Sequence, residues 1–333
     1  MSGHVAIVGA TGAVGQEFIR VLEQRNFPYK RITFLASARS AGKKLTFRGT
    51  DHTIQELTKD SFAGVDLALF SAGGSISREF GPLAAKAGAV VVDNSSAFRM
   101  DPDTPLVVPE VNPEDVKAHK GIIANPNCST IIMVVPVFAL HKVNPVRRMV
   151  VSTYQAASGA GYQAMVELEQ QSRDVLAGKP VTPKVLPHQI AFNLFNHNSK
   201  VGDNGYNEEE MKMVKETRKM FHNDAIQITA TCVRVPVMRA HSEAINLTFE
   251  KPITENEVRK ILSAAPGVKV VDDRVKNYFP MPLDSSDGDD ILVGRIRQDI
   301  SQPDGRGIEL FVSGDQLRKG AALNAVQIAE LLV

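Results

Sequence analysis

The chain has 333 residues, of which 43% are hydrophobic and 23% charged. That is room for about two domains and excludes a disordered chain. Thirty-eight basic against 37 acidic residues leave a formal charge of +1, without the basic excess of a protein that neutralises nucleic-acid phosphates. The longest uncharged apolar run, Ile131 to Leu140, is far short of the ~20 residues that span a bilayer.

In chain order, Met1-Ser2-Gly3-His4 runs directly into a strand pattern, with no signal peptide in view. Val5 to Val8 is a short apolar run bounded by glycine, as in strands buried on both faces of a parallel sheet. A helical stripe through Val14, Phe18, Val21 and Leu22 predicts a helix from Ala13 to about Gln24. Strands are expected at 31–36, 65–70, 89–93 and 121–124, with a helix near 76–87. Strand and helix alternate, which predicts an α/β, doubly wound, Rossmann-like domain.

Beyond Cys128 the texture changes. Segments 149–155, 227–235, 243–249 and 308–312 mix apolar and polar positions, as in a sheet with one covered face. Helices are expected at 161–176, 207–221 and 255–263, making a second, α+β domain. A stripe through Leu317, Ala321, Asn324, Ile328 and Leu331 predicts a C-terminal helix that returns to the first domain. The expected division is 1–128 with 313–333 for the first domain and 129–312 for the second.

Between the first strand and first helix lies Gly9-Ala10-Thr11-Gly12-Ala13-Val14-Gly15, a G-x-x-G-x-x-G variant of the dinucleotide loop. Its glycines let backbone approach a pyrophosphate, whose charge meets the positive end of the helix. A tight turn without a ligand is the alternative for the loop taken alone. An NAD site normally has a carboxylate about 20 residues further on. Residues 24–50 contain no acid, and 37–40 read Ser37-Ala38-Arg39-Ser40. Hydroxyls and an arginine suit a 2′-phosphate, so NADP is the expected cofactor, although Arg39 also fits a solvated surface charge.

Two cysteines make no disulfide framework, and a cytoplasmic enzyme is expected. Cys128 stands in Asn125-Pro126-Asn127-Cys128-Ser129-Thr130, a strand–turn–helix junction of cap-forming residues. A thiol near a helix N-terminus is favoured as thiolate. Pro136 is expected to kink or shorten the helix that follows. Cys232, inside an apolar strand, fits an inert core residue. A nucleophilic cysteine needs a proton-transfer partner, and His241, read as following a strand, is the best of eight histidines. The residues alone leave His241, Arg234 and Arg239 ambiguous.

The glycine loop, Ser95 to Arg99, Asn125 to Thr130, Gln155 to Gly161, Glu209 to Lys212 and Arg234 to His241 together resemble the aspartate-semialdehyde dehydrogenase family, in its order and over essentially the whole chain. The resemblance implies NADPH-dependent reduction of 4-phospho-L-aspartate to L-aspartate 4-semialdehyde with release of phosphate, a step of lysine, threonine and methionine biosynthesis. It implies a thioester on Cys128, His241 as acid/base and Gln155 as an orienting residue in contact with substrate. Arg234 would take the α-carboxylate, Glu209 the amino group, and Arg99, Lys212 and Asn127 the phosphate. For NADP it implies Gly9, Thr11, Gly12, Ala13, Val14 and Gly15 at the pyrophosphate, and Ser37, Arg39 and Ser40 at the 2′-phosphate. Ser158, Gly159, Gln316 and Asn324 would lie around the nicotinamide, with no metal. The family works as a homodimer or a tetramer built of dimers. N-acetyl-glutamyl-phosphate reductases share the chemistry but typically read Asn-Pro-Gly-Cys-Tyr at the nucleophile, and no Ser-Cys-Thr-Thr-Asn motif of glyceraldehyde-phosphate dehydrogenases occurs. A catalytically silent NADP-binding homologue is expected to lack the cysteine or histidine.

Overall fold

In a computed structural model that describes residues 3–333, the glycine-bounded run after Gly3 forms the strand β1 (His4–Val8), whose Val5 to Val8 are buried. Met1 and Ser2 lie outside the described residues. The chain divides into two compact units. The first continues with α1 (Ala13–Gln24), β2 (Arg31–Ala36), β3 (Lys44–Phe47), β4 (Thr50–Thr53), β5 (Gln55–Glu56), β6 (Leu67–Phe70), α2 (Gly74–Lys86), β7 (Val90–Asp93) and β8 (Ile122–Ala124). Six of these strands form a parallel sheet in the order β5-β2-β1-β6-β7-β8, while β3 and β4 pair as a separate antiparallel ribbon. The order reverses at β1, where a doubly wound sheet leaves its crevice.

The C-terminal helix Leu323–Glu330 belongs to this unit because its apolar stripe completes the core against α1. Leu323, Val326 and Ile328 share one buried cluster with Phe18, Val21 and Leu22. Arg25 grips Glu330 through two 2.7 Å hydrogen bonds at the rim. The chain re-enters the unit at Ala321. The expected point, 313, lies inside a strand that runs on to Gly314, because that strand stays paired with the one opposite as far as His241. The helix itself starts later than the stripe implied, behind a π turn at Arg318–Ala322.

The second unit spans Cys128–Gly320. It contains α3 (Cys128–His141), β9 (Val146–Gln155), α4 (Tyr162–Leu176), β10 (Phe195–Asn196), α5 (Glu208–Met220), β11 (Gln227–Arg234), β12 (His241–Phe249), α6 (Glu255–Ser263), β13 (Val268–Val270), β14 (Ile291–Gln298) and β15 (Gly307–Gly314). The seven strands form one mixed sheet in the order β10-β11-β9-β12-β15-β14-β13. Helix α3 is buried from Ser129 to Val137, packing on β9, β12, β14 and β15 and against α5 and α6. It runs through Pro136 without being shortened. A capping box on Asn207 and Glu210 starts α5, and one on Thr254 and Glu257 starts α6.

Candidate active site

In the first unit the loop after β1 is shaped by its glycines. Gly9 sits at φ +86°, and a Cβ there would lie 2.3 Å from the Ser71 carbonyl oxygen. At Gly15 a Cβ would lie 2.1 Å from the carbonyl oxygen of Gly9, so the first turn of α1 stacks on the loop only without a side chain. The Gly12 amide closes the turn on Gly9 O at 3.0 Å. Helix α1 has no acidic residue in its first turn and no capping side chain, which leaves its N-terminus to an anion. Thr11 and Gly12 are exposed, while Ala10 is buried. At the end of β2 the Ser37 carbonyl accepts from Ser40 at 2.8 Å, forming a tight turn with Ser37 and Arg39 exposed and Ser40 buried. An open anion cradle beside a basic turn fits a nicotinamide dinucleotide.

Also in this unit, Arg99 is buried, with Nη2 donating to the Asn94 carbonyl at 3.0 Å. Asn324 is buried as well and donates to Val107 O at 3.0 Å and Asn125 Oδ1 at 2.7 Å. One of these bonds braces the Asn125–Asn127 turn and the other holds Val107, a role the sequence did not foretell.

In the second unit β9 and β11 run parallel and end together at Gln155 and Arg234, which are register partners. Strand β12 runs the other way and begins at His241, one residue before Ser242 meets Tyr154. His241 thus opens the strand rather than following one, and three distant segments deliver Gln155, Arg234 and His241 to one end of the sheet. Gln155 accepts from Thr153 Oγ1 and donates to Glu209 Oε1, both at 3.1 Å. Glu209, buried on α5, takes Lys212 on its other oxygen at 3.0 Å, so the two share a helix face. Arg234, 2% exposed, donates from Nη1 to Ala156 O at 2.7 Å, and its Nε has no partner.

The 3-10 turn Ala157–Ala160 follows Gln155. A Cβ on Gly159 would stand 3.0 Å from His241 Nε2 and 3.1 Å from Arg234 Nη1, so these two groups converge over a bare glycine. Ser158 Oγ accepts from Gln316 Nε2, and Gln316 Oε1 accepts from the Ala240 amide at 2.8 Å. Ala240 itself sits at φ +71°. These bonds tie the turn to the residue before His241. Cys128 opens α3 as its first residue, partly exposed, and Gly320 packs so closely that a Cβ there would lie 3.0 Å from the Cys128 Cβ. Arg239, which had no expected role, pairs with buried Asp315 at 2.6 Å and with Asp287 at 2.9 Å. It is a brace for the turn that leads into His241.

Burial is the main influence on the titrating groups. Desolvation, with Arg234 adding to it, pulls His241 down to about 3, and desolvation pulls His197 down to about 4. Burial also lowers Arg234, against the opposing pull of Cys128 and Glu209. Burial pushes Cys232 far above the thiol range, consistent with an inert core residue. Among the described residues no group of three or more His, Cys, Asp or Glu side chains is placed to hold a metal ion, and no helix is long and apolar enough to cross a membrane.

Two residues in this neighbourhood escaped sequence reasoning. His197 sits within electrostatic reach of Glu209, Arg234 and Lys212. Glu243 lies one row below His241 on β12, in register with Thr153 and Val312. It is fully buried, neither oxygen has a hydrogen-bond partner, and burial raises its pKa well above the usual carboxylate range. Alternation along 243–249 puts it on the face of Ile245, Leu247 and Phe249, all buried, and that signal could have found it. Above a pH of about 4.3 the unfolded chain releases this proton while the folded protein keeps it. Stability therefore falls with rising pH until the folded group titrates, by at most about 1.4 kcal/mol per pH unit. Glu243→Gln has no proton to lose, so urea unfolding should find it more stable than wild type at pH 8, with the gap closing toward pH 4. A Gln variant that is less stable at pH 8 would mean the carboxylate is ionised and paired.

A dinucleotide loop on a parallel sheet, joined in one chain to a Cys-Gln-Arg-His-Glu neighbourhood on a mixed sheet, defines the class: an oxidoreductase of the semialdehyde dehydrogenase type. Residues 4–119 match the family described as semialdehyde dehydrogenase, NAD binding domain, and residues 136–319 its dimerisation domain. An aspartate-semialdehyde dehydrogenase of Synechocystis sp. is 59% identical over 99% of this chain and 97% of its own length. One of Aquifex aeolicus is 54% identical over 100% and 98%. The crystal structure of aspartate semialdehyde dehydrogenase II complexed with ASA from Vibrio cholerae superposes with a TM-score of 0.96 at 45% identity, covering 100% and 98%. A Candida albicans enzyme with NADP matches at a TM-score of 0.76 and 26% identity, covering 99% and 98%. The chain belongs to the aspartate-semialdehyde dehydrogenase family.

Proposed function

We propose that the protein catalyses the reversible NADPH-dependent reduction of 4-phospho-L-aspartate to L-aspartate 4-semialdehyde with release of phosphate, in the biosynthesis of lysine, threonine and methionine. The observation that carries this is the convergence of His241 Nε2 and Arg234 Nη1 over Gly159, in the unit where Cys128 opens α3 and influences Arg234.

Cys128 attacks the acyl phosphate as a thiolate, favoured by the α3 N-terminus and by Arg234, and phosphate leaves behind a thioester. NADPH, held by the glycine loop and the Ser37–Ser40 turn, would supply the hydride when bound. The tetrahedral thiohemiacetal on Cys128 then expels sulfur and releases the aldehyde. Arg234 holds the substrate α-carboxylate with its planar fork. Glu209 receives the amino group, with Gln155 fixing its carboxylate, while Arg99, Lys212 and Asn127 receive the phosphate. Ser158 and Gly159 lie at the nicotinamide, with Gln316 holding Ser158. The functional form is a homodimer, with a tetramer of paired dimers as the larger assembly, and the compartment is the cytoplasm.

Phosphate-dependent NADPH formation from aspartate semialdehyde, compared with N-acetylglutamate semialdehyde, tests the assignment. Turnover of the second compound alone would overturn it. At the cofactor, Arg39→Ala should weaken NADPH binding by about tenfold, the loss of one charge-assisted contact, and leave NADH binding nearly unchanged. Titration of both nucleotides checks this, and equal losses would place the reading of the 2′-phosphate elsewhere.

A further inference from the structure

His197 has no part in the steps above, yet the chain carries it to the substrate side of the sheet. It continues the antiparallel pairing of β10 with β11: Phe195 faces Arg234, Asn196 faces Val233, and the His197 amide donates to Cys232 O at 2.8 Å. Residues opposite each other across a ladder share a face, as do residues two apart on one strand. His197 therefore projects from the face of Cys232 and Arg234. The same face carries Gln155, the register partner of Arg234, which donates to Glu209 on α5.

The inner nitrogen of the ring is committed. The Ser199 amide lies 3.3 Å from His197 Nδ1, and a backbone N–H can only donate. Ser199 Oγ accepts from the Glu209 amide at 3.1 Å and, also 3.1 Å from Nδ1, turns its own proton to the ring. Nδ1 thus presents its lone pair, and the neutral ring carries its proton on Nε2. That nitrogen has no partner among the described residues and, unlike Nε2 of His241, is not sealed from solvent. Burial lowers the ring to about 4 against the pull of Glu209, with Arg234 and Lys212 adding to the fall, so the donor is uncharged at neutral pH.

We infer that His197 is a specificity-determining residue for the same reaction: its Nε2–H donates to the α-carboxylate of the substrate, beside the Arg234 fork. This rests on the aspartate-semialdehyde reading above. A carboxylate offers about four acceptor sites, and one guanidinium edge fills two of them. Arg234 has no more to give, since Nη1 already holds Ala156 O and Nε is sealed without a partner. A neutral donor adds a hydrogen bond there without setting a third cation next to Arg234 and Lys212. Segment 197–199 then serves both polar groups on the substrate α-carbon. His197 meets the carboxylate, and Ser199 holds the amide of Glu209, which receives the amino group.

Two variants separate contact from scaffolding. Asparagine sets an amide near the Nδ1 position, keeping an acceptor for Ser199 but falling short of Nε2. Glutamine sets an amide donor near Nε2 and gives up Nδ1. His197→Asn should raise KM for aspartate semialdehyde about tenfold, the worth of one hydrogen bond to a charged group, with kcat and the KM for phosphate within about twofold of wild type. His197→Gln should keep the semialdehyde KM within about threefold. The opposite ranking would make the ring a support for Ser199 alone and overturn the inference. So would wild-type KM in both variants, or a rise in the KM for phosphate instead. Nitrogen-15 NMR on the wild-type protein without nucleotide tests the contact independently of how the variants fold. His197 should carry its proton on Nε2, and that resonance should move on adding aspartate semialdehyde and not on adding inorganic phosphate. A proton on Nδ1, or an Nε2 resonance that ignores the semialdehyde, would also overturn the inference. Failure of wild type to turn over aspartate semialdehyde would instead defeat the underlying reading, and the inference with it.

Discussion

Replacing Cys128 with Ser should lower kcat by at least about a thousandfold while nucleotide affinity and melting temperature stay at wild-type values. Serine fills nearly the same volume, and the close packing of Gly320 against residue 128 tolerates it. A hydroxyl is, however, far less acidic than a thiol, and neither the α3 N-terminus nor Arg234 can hold an alkoxide there at neutral pH. An oxygen ester is also a poorer hydride acceptor than a thioester. Steady-state kinetics with nucleotide titration checks both halves. Near-normal turnover would remove Cys128 from the chemistry, and lost nucleotide binding would make its role structural.

Arg234→Lys should raise KM for the semialdehyde by about ten- to a hundredfold, the worth of one or two charge-assisted hydrogen bonds. It should lower kcat as well. The Arg234 guanidinium holds Ala156 O, and the amide of the same residue holds His241 Nδ1, so the side chain proposed to anchor the substrate also supports the ring geometry. A lysine keeps the charge but presents a point instead of a fork. An effect on KM alone would separate the carboxylate anchor from His241, and unchanged kinetics would remove Arg234 from the substrate site.

Much of the molecule was legible in the chain. The alternation of apolar runs and stripes marked β1, α1, β2 and α6 closely, because each buries a continuous run or a clean 3.6-residue stripe. The short strands β3, β5, β10 and β13 escaped notice, being two to four residues long and largely exposed. Strand β14 was missed despite its apolar Ile291-Leu292-Val293, since Gly294 and two arginines interrupt the pattern. The start of β12 was misjudged because His241 is fully buried, and a polar residue at a strand end looks like a loop residue.

The sequence by itself determined the two-unit organisation around the glycine loop, the candidate cysteine and the absence of a carboxylate after β2, because these depend on local spacing and residue type. Only the tertiary structure decided which hydrogen bonds the candidates make. Sheet register brings Gln155, Arg234 and His241 to one end of the sheet, a backbone amide donates to His241 Nδ1, and burial without a partner raises the Glu243 carboxyl well above the usual carboxylate range. Register and burial arise from pairing segments some eighty residues apart, as with Ala156 and His241, and no local pattern encodes that pairing.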